Sequence, residues 1–196
     1  MVPAIILAAG ASARMGSPKA LLRIGDETFV RRILRVLRDA GLPVAVVVVR
    51  PGQEGIAAEV AAGGFGRVVE NPRADTGQLS SLVAGIDAID GFYVDGALVT
   101  LVDVPRISVA AVSALLARVQ TSRAPVIRAV HEGRHGHPVI FRRELFDRLR
   151  QADPAVGAKA VMRTVEIEDV EVHEPGIAQD VDTPADYERL RGIESR

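Results

Sequence analysis

Three stretches of this chain, residues 2–9 (VPAIILAA), 44–49 (VAVVVV) and 97–102 (ALVTLV), are apolar at almost every position over the length of a strand. A strand apolar on both faces must be covered on both, which calls for a parallel sheet sandwiched between helices. Between the first two runs, FVRRILRVLRDAG is apolar at 29, 30, 33, 34, 37 and 40, the recurrence of one helix face, and Gly41 offers a stop. The pattern recurs. A short strand at Arg67–Glu70 precedes a helix striped by Leu79, Leu82, Val83, Ile86 and Ile89. After the 97–102 run, Ser108 can cap a helix carrying Val109, Val112, Leu115, Leu116 and Val119. Right-handed crossovers then give a three-layer α/β/α sandwich around a Rossmann-like, mostly parallel sheet, with ligands beyond the carboxyl ends of the strands.

The second half is less regular. Pro125–Val130 and Pro138–Phe141 read as strands flanking HEGRHGH, whose glycines suit a hairpin turn or a flap. Arg142–Arg150 reads as a short helix, Val165–Val172 alternates imperfectly, and Thr183-Pro184-Ala185-Asp186 reads as a helix start. With 196 residues and no long linker or repeat, the chain is expected to form one domain, 1–196, with a mixed C-terminal extension to the sheet.

Composition narrows the function. Lys plus Arg number 24 against 25 Asp plus Glu, a net charge of −1, so no whole-molecule field recruits a polyanion or a membrane surface. Aromatics at 4% and the lack of Trp leave no stacking platform for nucleic acid. The lack of Cys excludes a thiolate nucleophile and cysteine-held metals, and agrees with a cytoplasmic location. The first apolar run lacks a basic leader and is too short for a span, so neither export nor a membrane partner is expected.

The segment LAAGASARMGSPKALL, residues 7–22, joins the first strand to the first clear helix. Its small residues let a backbone approach a bulky ligand, its N–H groups can cradle phosphate oxygens, and Arg14 and Lys19 add positive charge. It is neither a Walker loop nor a G-x-G-x-x-G fingerprint, and it would also serve as a plain tight connection. In NPRADTGQLSSLVAG, residues 71–85, Gly77 allows close approach, while Ser80 and Ser81 begin a helix and either face a ligand or cap it. Asp103 stands at the exit of the most apolar strand, a poor packing choice that reads as a functional carboxylate or a loop cap. Asp180 and Asp182, two apart, share one face if extended. His131, His135 and His137 crowd one segment, but the intervening glycines leave no helix to fix zinc geometry.

These segments together resemble the MobA-like nucleotidyltransferases, and specifically their molybdenum cofactor cytidylyltransferase branch. The string LAAGxSxRMGxPKxLL resembles the family signature; Ala9 and Pro18 lean towards the cytidylyltransferase side, since the guanylyltransferase branch more often reads LAGG with an Asp before the Lys. The segment at 71–85 is similar to N-P-x(n)-G-x-x-S-S-L-x-x-G, Asp103-Val104-Pro105 to D-x-P, Asp180 to Asp186 to D-I-D-T-P-E-D with Val181 and Ala185 departing, Gly136-His137-Pro138 to G-H-P, and Asp153 to Lys159 to a D-x-G-A-R/K loop. The resemblance implies a nucleotide-diphospho-sugar transferase fold and transfer of CMP from CTP to the phosphate of a molybdopterin-type acceptor, releasing pyrophosphate.

The implied roles follow the motifs. Leu7, Ala8, Ala9, Gly10, Lys19, Gly77, Ser80 and Ser81 would border the nucleotide. Arg14, Lys19 and Asp103 would be catalytic, with Asp103 and either Asp180, the favoured partner, or Asp182 holding Mg²⁺. His137, Lys159 and Asp182 would lie on the acceptor side, and a molybdoenzyme or its chaperone would receive the product. Two alternatives stand beside this: a guanylyl- or sugar-phosphate nucleotidyltransferase of the same fold, and a non-catalytic nucleotide-binding protein.

Overall fold

The computed structural model describes residues 1–12, 15–91 and 93–194. Its elements run β1 (Ala4–Leu7), β2 (Arg23–Ile24), β3 (Glu27–Thr28), α1 (Phe29–Asp39), β4 (Ala45–Val49), α2 (Glu54–Ala62), β5 (Arg67–Glu70), α3 (Gln78–Ile89), β6 (Gly96–Leu101), α4 (Val109–Thr121), β7 (Val126–His131), β8 (Arg134–Arg142), α5 (Phe146–Gln151), α6 (Ala158–Met162), β9 (Ile167–Glu171) and α7 (Pro184–Glu194). The apolar runs are the centre of a seven-stranded sheet of order β5-β4-β1-β6-β8-β7-β9. The strands β5, β4, β1 and β6 are mutually parallel, β8 is antiparallel to β6 and β7, and β9 pairs parallel with β7.

Alternation along β1 shows why that run is apolar throughout. Ala4 and Ile6 pack into a core with α1, α2 and α4, whereas Ile5 and Leu7 pack into a second core with α3, α5 and α6. The chain steps from β1 to β4 on one side, and α3 returns it to β6 on the other. The carboxyl ends of β1 and β6 therefore diverge at a switch point, the crevice where such sheets collect ligands.

Helix α3 lies close on β1 because position 85 is glycine. A Cβ there would fall 2.5 Å from Ile5 Cγ2 and 3.3 Å from Val48 Cγ2, both on fully buried residues. Gly85→Ala gains about 1 kcal/mol of helix propensity, but the overpacking costs about 1–3 kcal/mol. A net drop in the thermal midpoint is expected, and an unchanged or raised midpoint in a melting experiment would contradict this packing.

The hairpin differs from the expected loop. Only Glu132 and Gly133 turn, with φ of 49° and 75°, so Arg134 to His137 belong to strand β8. Helices α2 and α6 and the β2–β3 ribbon were not legible from periodicity. In α2 the buried apolar side chains are just Ile56 and Val60, too few for a stripe.

Candidate active site

The loop after β1 folds back on itself. Ser12 sits at φ 48°, and its Oγ accepts the Lys19 backbone N–H at 3.2 Å. This brings Lys19, at the start of a single 3₁₀ turn, beneath the ends of β1 and β6. Its ammonium donates to Asp103 Oδ2 at 3.0 Å and to Asp182 Oδ1 at 2.5 Å, joining three segments remote in sequence. Asp103 lies just beyond β6, and its backbone carbonyl accepts the Val181 N–H at 2.9 Å, which ties the C-terminal acidic segment to the crevice.

The charge balance is negative. Desolvation opposes the Lys19 ammonium, but the hydrogen bonds it donates to Asp182 and Asp103, with the charges of those carboxylates, outweigh it and hold its pKa above the ordinary value. Desolvation raises the pKa of Asp180, and the neighbouring Asp103 and Asp182 carboxylates raise it further. Asp103 Oδ1 is buried without a hydrogen-bond partner. An orphaned carboxylate oxygen beside two more carboxylates suits a hard divalent cation, which takes one or two carboxylates and completes its shell with phosphate oxygens. Among the described residues no three acidic or imidazole groups form a ready-made metal cage.

Two cavities meet here. The first, about 430 Å³, is lined by Leu7 to Ser12, Lys19, Arg50, Gly77, Ser81, Asp103 and Asp182, among others. The second, about 790 Å³, is lined by His137, Asp180 and Lys159 together with apolar side chains of α3, β8 and α6. Leu7, Gln78 and Leu101 border both.

Most residues expected to border the nucleotide, namely Leu7, Ala8, Ala9, Gly10, Lys19, Gly77 and Ser81, thus line one cavity. Ser80 does not: its Oγ accepts from Asn71 Nδ2 and faces the Arg73 and Gly77 carbonyls, so its hydroxyl serves the loop. Ser81 Oγ also accepts from Asn71, which is 2% exposed. The two acids separate between the cavities. Asp182, given to the acceptor side, lines the first cavity, and Asp180, given to the metal with Asp103, lines the second. His137 and Lys159 line the second cavity together. Arg14 lies outside the described residues.

The histidines do not converge. His131 Nδ1 meets the Val172 carbonyl at 2.8 Å, His135 Nε2 meets Asp169 at 3.3 Å, and His137 Nδ1 meets the Val99 carbonyl at 3.4 Å. Burial lowers the His137 pKa, although Val99 and the carboxylates of Asp180 and Asp103 pull the other way.

Sequence reading missed Arg50. Its Nε donates to the Ala9 carbonyl at 2.8 Å and its Nη1 to Asp75 at 2.6 Å, so it braces the first cavity between two loops. The signal was present: Arg50 ends a buried apolar run, as Asp103 nearly does.

The acidic segment is anchored by the cap of α7. Asp186 Oδ2 accepts the Thr183 N–H at 2.8 Å and its hydroxyl at 2.7 Å, while Thr183 Oγ1 accepts the Asp186 N–H at 3.2 Å. The Thr183 side chain and backbone, with Arg189, hold the Asp186 pKa down to about 2 from 3.8. A depressed carboxylate pKa contributes stability that is present above the unfolded value and lost as pH falls through the folded one. The stability difference between wild type and Asp186→Asn should therefore be constant above about pH 4 and shrink towards about pH 2. Carboxyl NMR titration of Asp186 checks it directly; an ordinary midpoint would mean that the cap bonds do not hold this carboxylate in solution.

The chain matches the MobA-like NTP transferase domain over residues 4–171. It belongs to that family. Among relatives, the purine catabolism protein PucB of Bacillus subtilis is 28% identical over 95% of this chain and 94% of its own. A probable molybdenum cofactor guanylyltransferase of Opitutus terrae is 50% identical over 48 residues, 24% of each chain. The bifunctional protein GlmU of Xanthobacter autotrophicus is 43% identical over 58 residues, 29% of this chain; that match spans 13% of GlmU's length.

Among solved structures, Rv0371c of Mycobacterium tuberculosis superposes with a TM-score of 0.83 at 25% identity over 98% of both chains. Its manganese complex gives 0.77 at 25% identity over 97% of this chain and 98% of that one. A CMP:2-keto-3-deoxy-manno-octonic acid synthetase complexed with CTP gives 0.78 at 18% identity over 100% of this chain and 99% of that one, a likeness of fold alone. This MobA-like chain is a nucleotidyltransferase with the nucleotide-diphospho-sugar transferase fold. No helix among its described residues is long and apolar enough to cross a membrane.

Proposed function

We propose that this protein transfers CMP from CTP to the phosphate of a molybdopterin-type cofactor in the cytoplasm, releasing pyrophosphate, and passes the product to a molybdoenzyme or its chaperone. The observation that carries the reading is the pair of adjoining cavities. One is walled by a small-residue loop and Lys19, the other is larger and mostly apolar, and carboxylates line both.

An acceptor phosphate oxygen attacks the α-phosphorus, a new P–O bond forms, and the bond to the β-phosphate breaks. A phosphomonoester has a second pKa near 6 and is already anionic, so no strong base is needed. The chain's work is alignment and charge stabilisation. The loop at residues 7–12 lets the triphosphate approach the backbone, and Lys19 meets the charge that accumulates on the leaving phosphates.

On the acceptor side, the Val99 carbonyl can only accept, so His137 Nδ1 carries the hydrogen that faces it. Nε2 is then an acceptor for the remaining hydrogen of a singly protonated phosphate, which orients that group. Mg²⁺, when bound, would neutralise charge on the reacting phosphates, and Asp103 with Asp180 would hold it. Asp180 has no side-chain hydrogen-bond partner among the described residues, and Asp103, although its Oδ2 accepts from Lys19, keeps Oδ1 unpartnered.

The deciding experiment is a matrix of nucleotides and acceptors read by pyrophosphate release. CTP with molybdopterin is expected to turn over and GTP with molybdopterin to lag far behind. Preference for GTP, as the name of the Opitutus relative would have it, or turnover only with a sugar 1-phosphate, would overturn the reading. Nucleotide binding with no turnover for any pair would make the chain a non-catalytic binder.

A further inference from the structure

The second cavity is lined by two sets of charged groups, and the proposed transfer chemistry uses only one of them. The cavity adjoins the first one through Leu7 and Leu101, and Asp180 and His137, both within electrostatic reach of Asp103 in the first cavity, mark this inner end. The walls beyond are apolar, built by Leu79, Leu82, Val139, Phe141, Met162 and Ile167. The remaining charged lining residues are Arg128, His135, Lys159 and Arg163. Arg128 is not available: both its Nε and Nη2 donate to Asp169, at 2.8 and 3.2 Å, and His135 meets the same carboxylate.

Lys159 and Arg163 are different. Both are exposed, and among the described residues neither side chain has a hydrogen-bond or ion-pair partner. They stand one helical turn apart on the short helix α6 and the residue that caps it. Like charges at this spacing destabilise a helix, and a five-residue helix has little intrinsic stability to set against that. Arg118, Arg142 and Arg150 have partners, in Glu168, three carbonyls, and Asp87, Asp90 and Asp147 respectively, and the exposed Arg123 and Arg134 do not line this cavity, so what distinguishes Arg163 is an open guanidinium on the cavity wall. Two cations without side-chain partners among the described residues, on the wall of an apolar cavity, are what an anionic ligand group would pair with.

We infer that Lys159 and Arg163 form a second anion-holding point at the outer end of this cavity, and that the acceptor is a molecule with two separated anionic groups. One is the phosphate that reacts at the inner end. The other lies across a weakly polar body that rests on the apolar walls. This rests on the proposed function and sharpens it, because a molybdopterin-type acceptor offers two sources for the distal anion: its dithiolate sulfurs, or the oxo group of a metal they carry. Arg163 is the specificity-determining residue that this adds.

The test uses the full chain with Arg163→Ala, Arg163→Glu and Arg163→Lys, at saturating CTP, against three acceptors: metal-free molybdopterin, its molybdenum-loaded form, and a sugar 1-phosphate lacking a second anion. Arg163→Ala should raise the KM for the pterin acceptor by about tenfold or more, the loss of a charge-assisted contact. Arg163→Glu should raise it further and Arg163→Lys should recover most of it, with kcat and the KM for CTP unchanged. Any transfer to the sugar phosphate should be insensitive to all three changes, which a merely structural role for Arg163 would not allow. A KM effect on both pterins assigns the sulfurs, and one confined to the loaded form assigns the metal oxo group. A wild type that turns over while Arg163→Glu leaves the pterin KM within about twofold overturns this inference alone. So does a parallel rise in the KM for CTP. A wild type that transfers to neither pterin overturns the functional reading itself and this inference with it.

Discussion

Asp103→Asn is expected to lower kcat by about a hundredfold or more while the protein stays folded, because a metal-assisted phosphoryl transfer draws several kcal/mol from the cation its carboxylate would hold. The geometry makes this substitution informative. Oδ2 is committed to Lys19 and Oδ1 is buried without a partner. An asparagine keeps its oxygen on the Lys19 ammonium and so turns its NH₂ into the orphaned position, a donor where a cation would need a lone pair. The side chain keeps its volume, so the thermal midpoint should move by only a few degrees. Activity measured across a Mg²⁺ titration checks the prediction: a near-normal kcat at limiting Mg²⁺ would remove Asp103 from the site.

Lys19→Ala is expected to cost about ten- to a hundredfold in affinity for CTP, the loss of a charge-assisted contact, and to leave cytidine almost untouched. The ammonium is held by Asp103 and Asp182 in the lining of the small-residue cavity, and in the proposed binding mode it would meet the phosphates and not the base or sugar. Calorimetric titration with CTP, CMP and cytidine separates the effects, since the loss should grow with the number of phosphates. Equal losses for CTP and cytidine would mean that Lys19 only holds the two loops together. Removing it also leaves the two carboxylates unbalanced, so a modest fall in stability accompanies the loss of affinity.

The sheet core was legible because burial on both faces forces apolar residues at consecutive positions, a local signal that needs no partner to be read. The strands at 44–49 and 97–102 and the helix from Phe29 are recovered within a residue or so. The same rule marks Asp103 and Arg50, since a charge at the mouth of a buried strand has no place in the core. The glycine loop and the acids near the C-terminus stand out by composition and spacing for the same reason.

What could not be read is how remote segments meet. Lys19, Asp103 and Asp182 are brought to hydrogen-bonding distance only by the folded chain, and no periodicity carries that information. The tertiary structure also decided that Asp182 lines one cavity and Asp180 the other. Two acids on an extended segment share a face by local geometry, but the backbone here is fixed from outside. Val181 is hydrogen-bonded to Asp103, and the preceding turn lies so close on β8 that a Cβ at Gly136 would fall 2.1 Å from the Ile177 carbonyl oxygen. Nor could sequence tell that Ser80 turns its hydroxyl to the loop, because a serine near a helix start satisfies a cap or a ligand with the same atoms. Local composition thus determined which residues are out of place in a core, and only packing between distant segments determined which of them face each other, because that choice is made by contacts whose sequence separation no local pattern records.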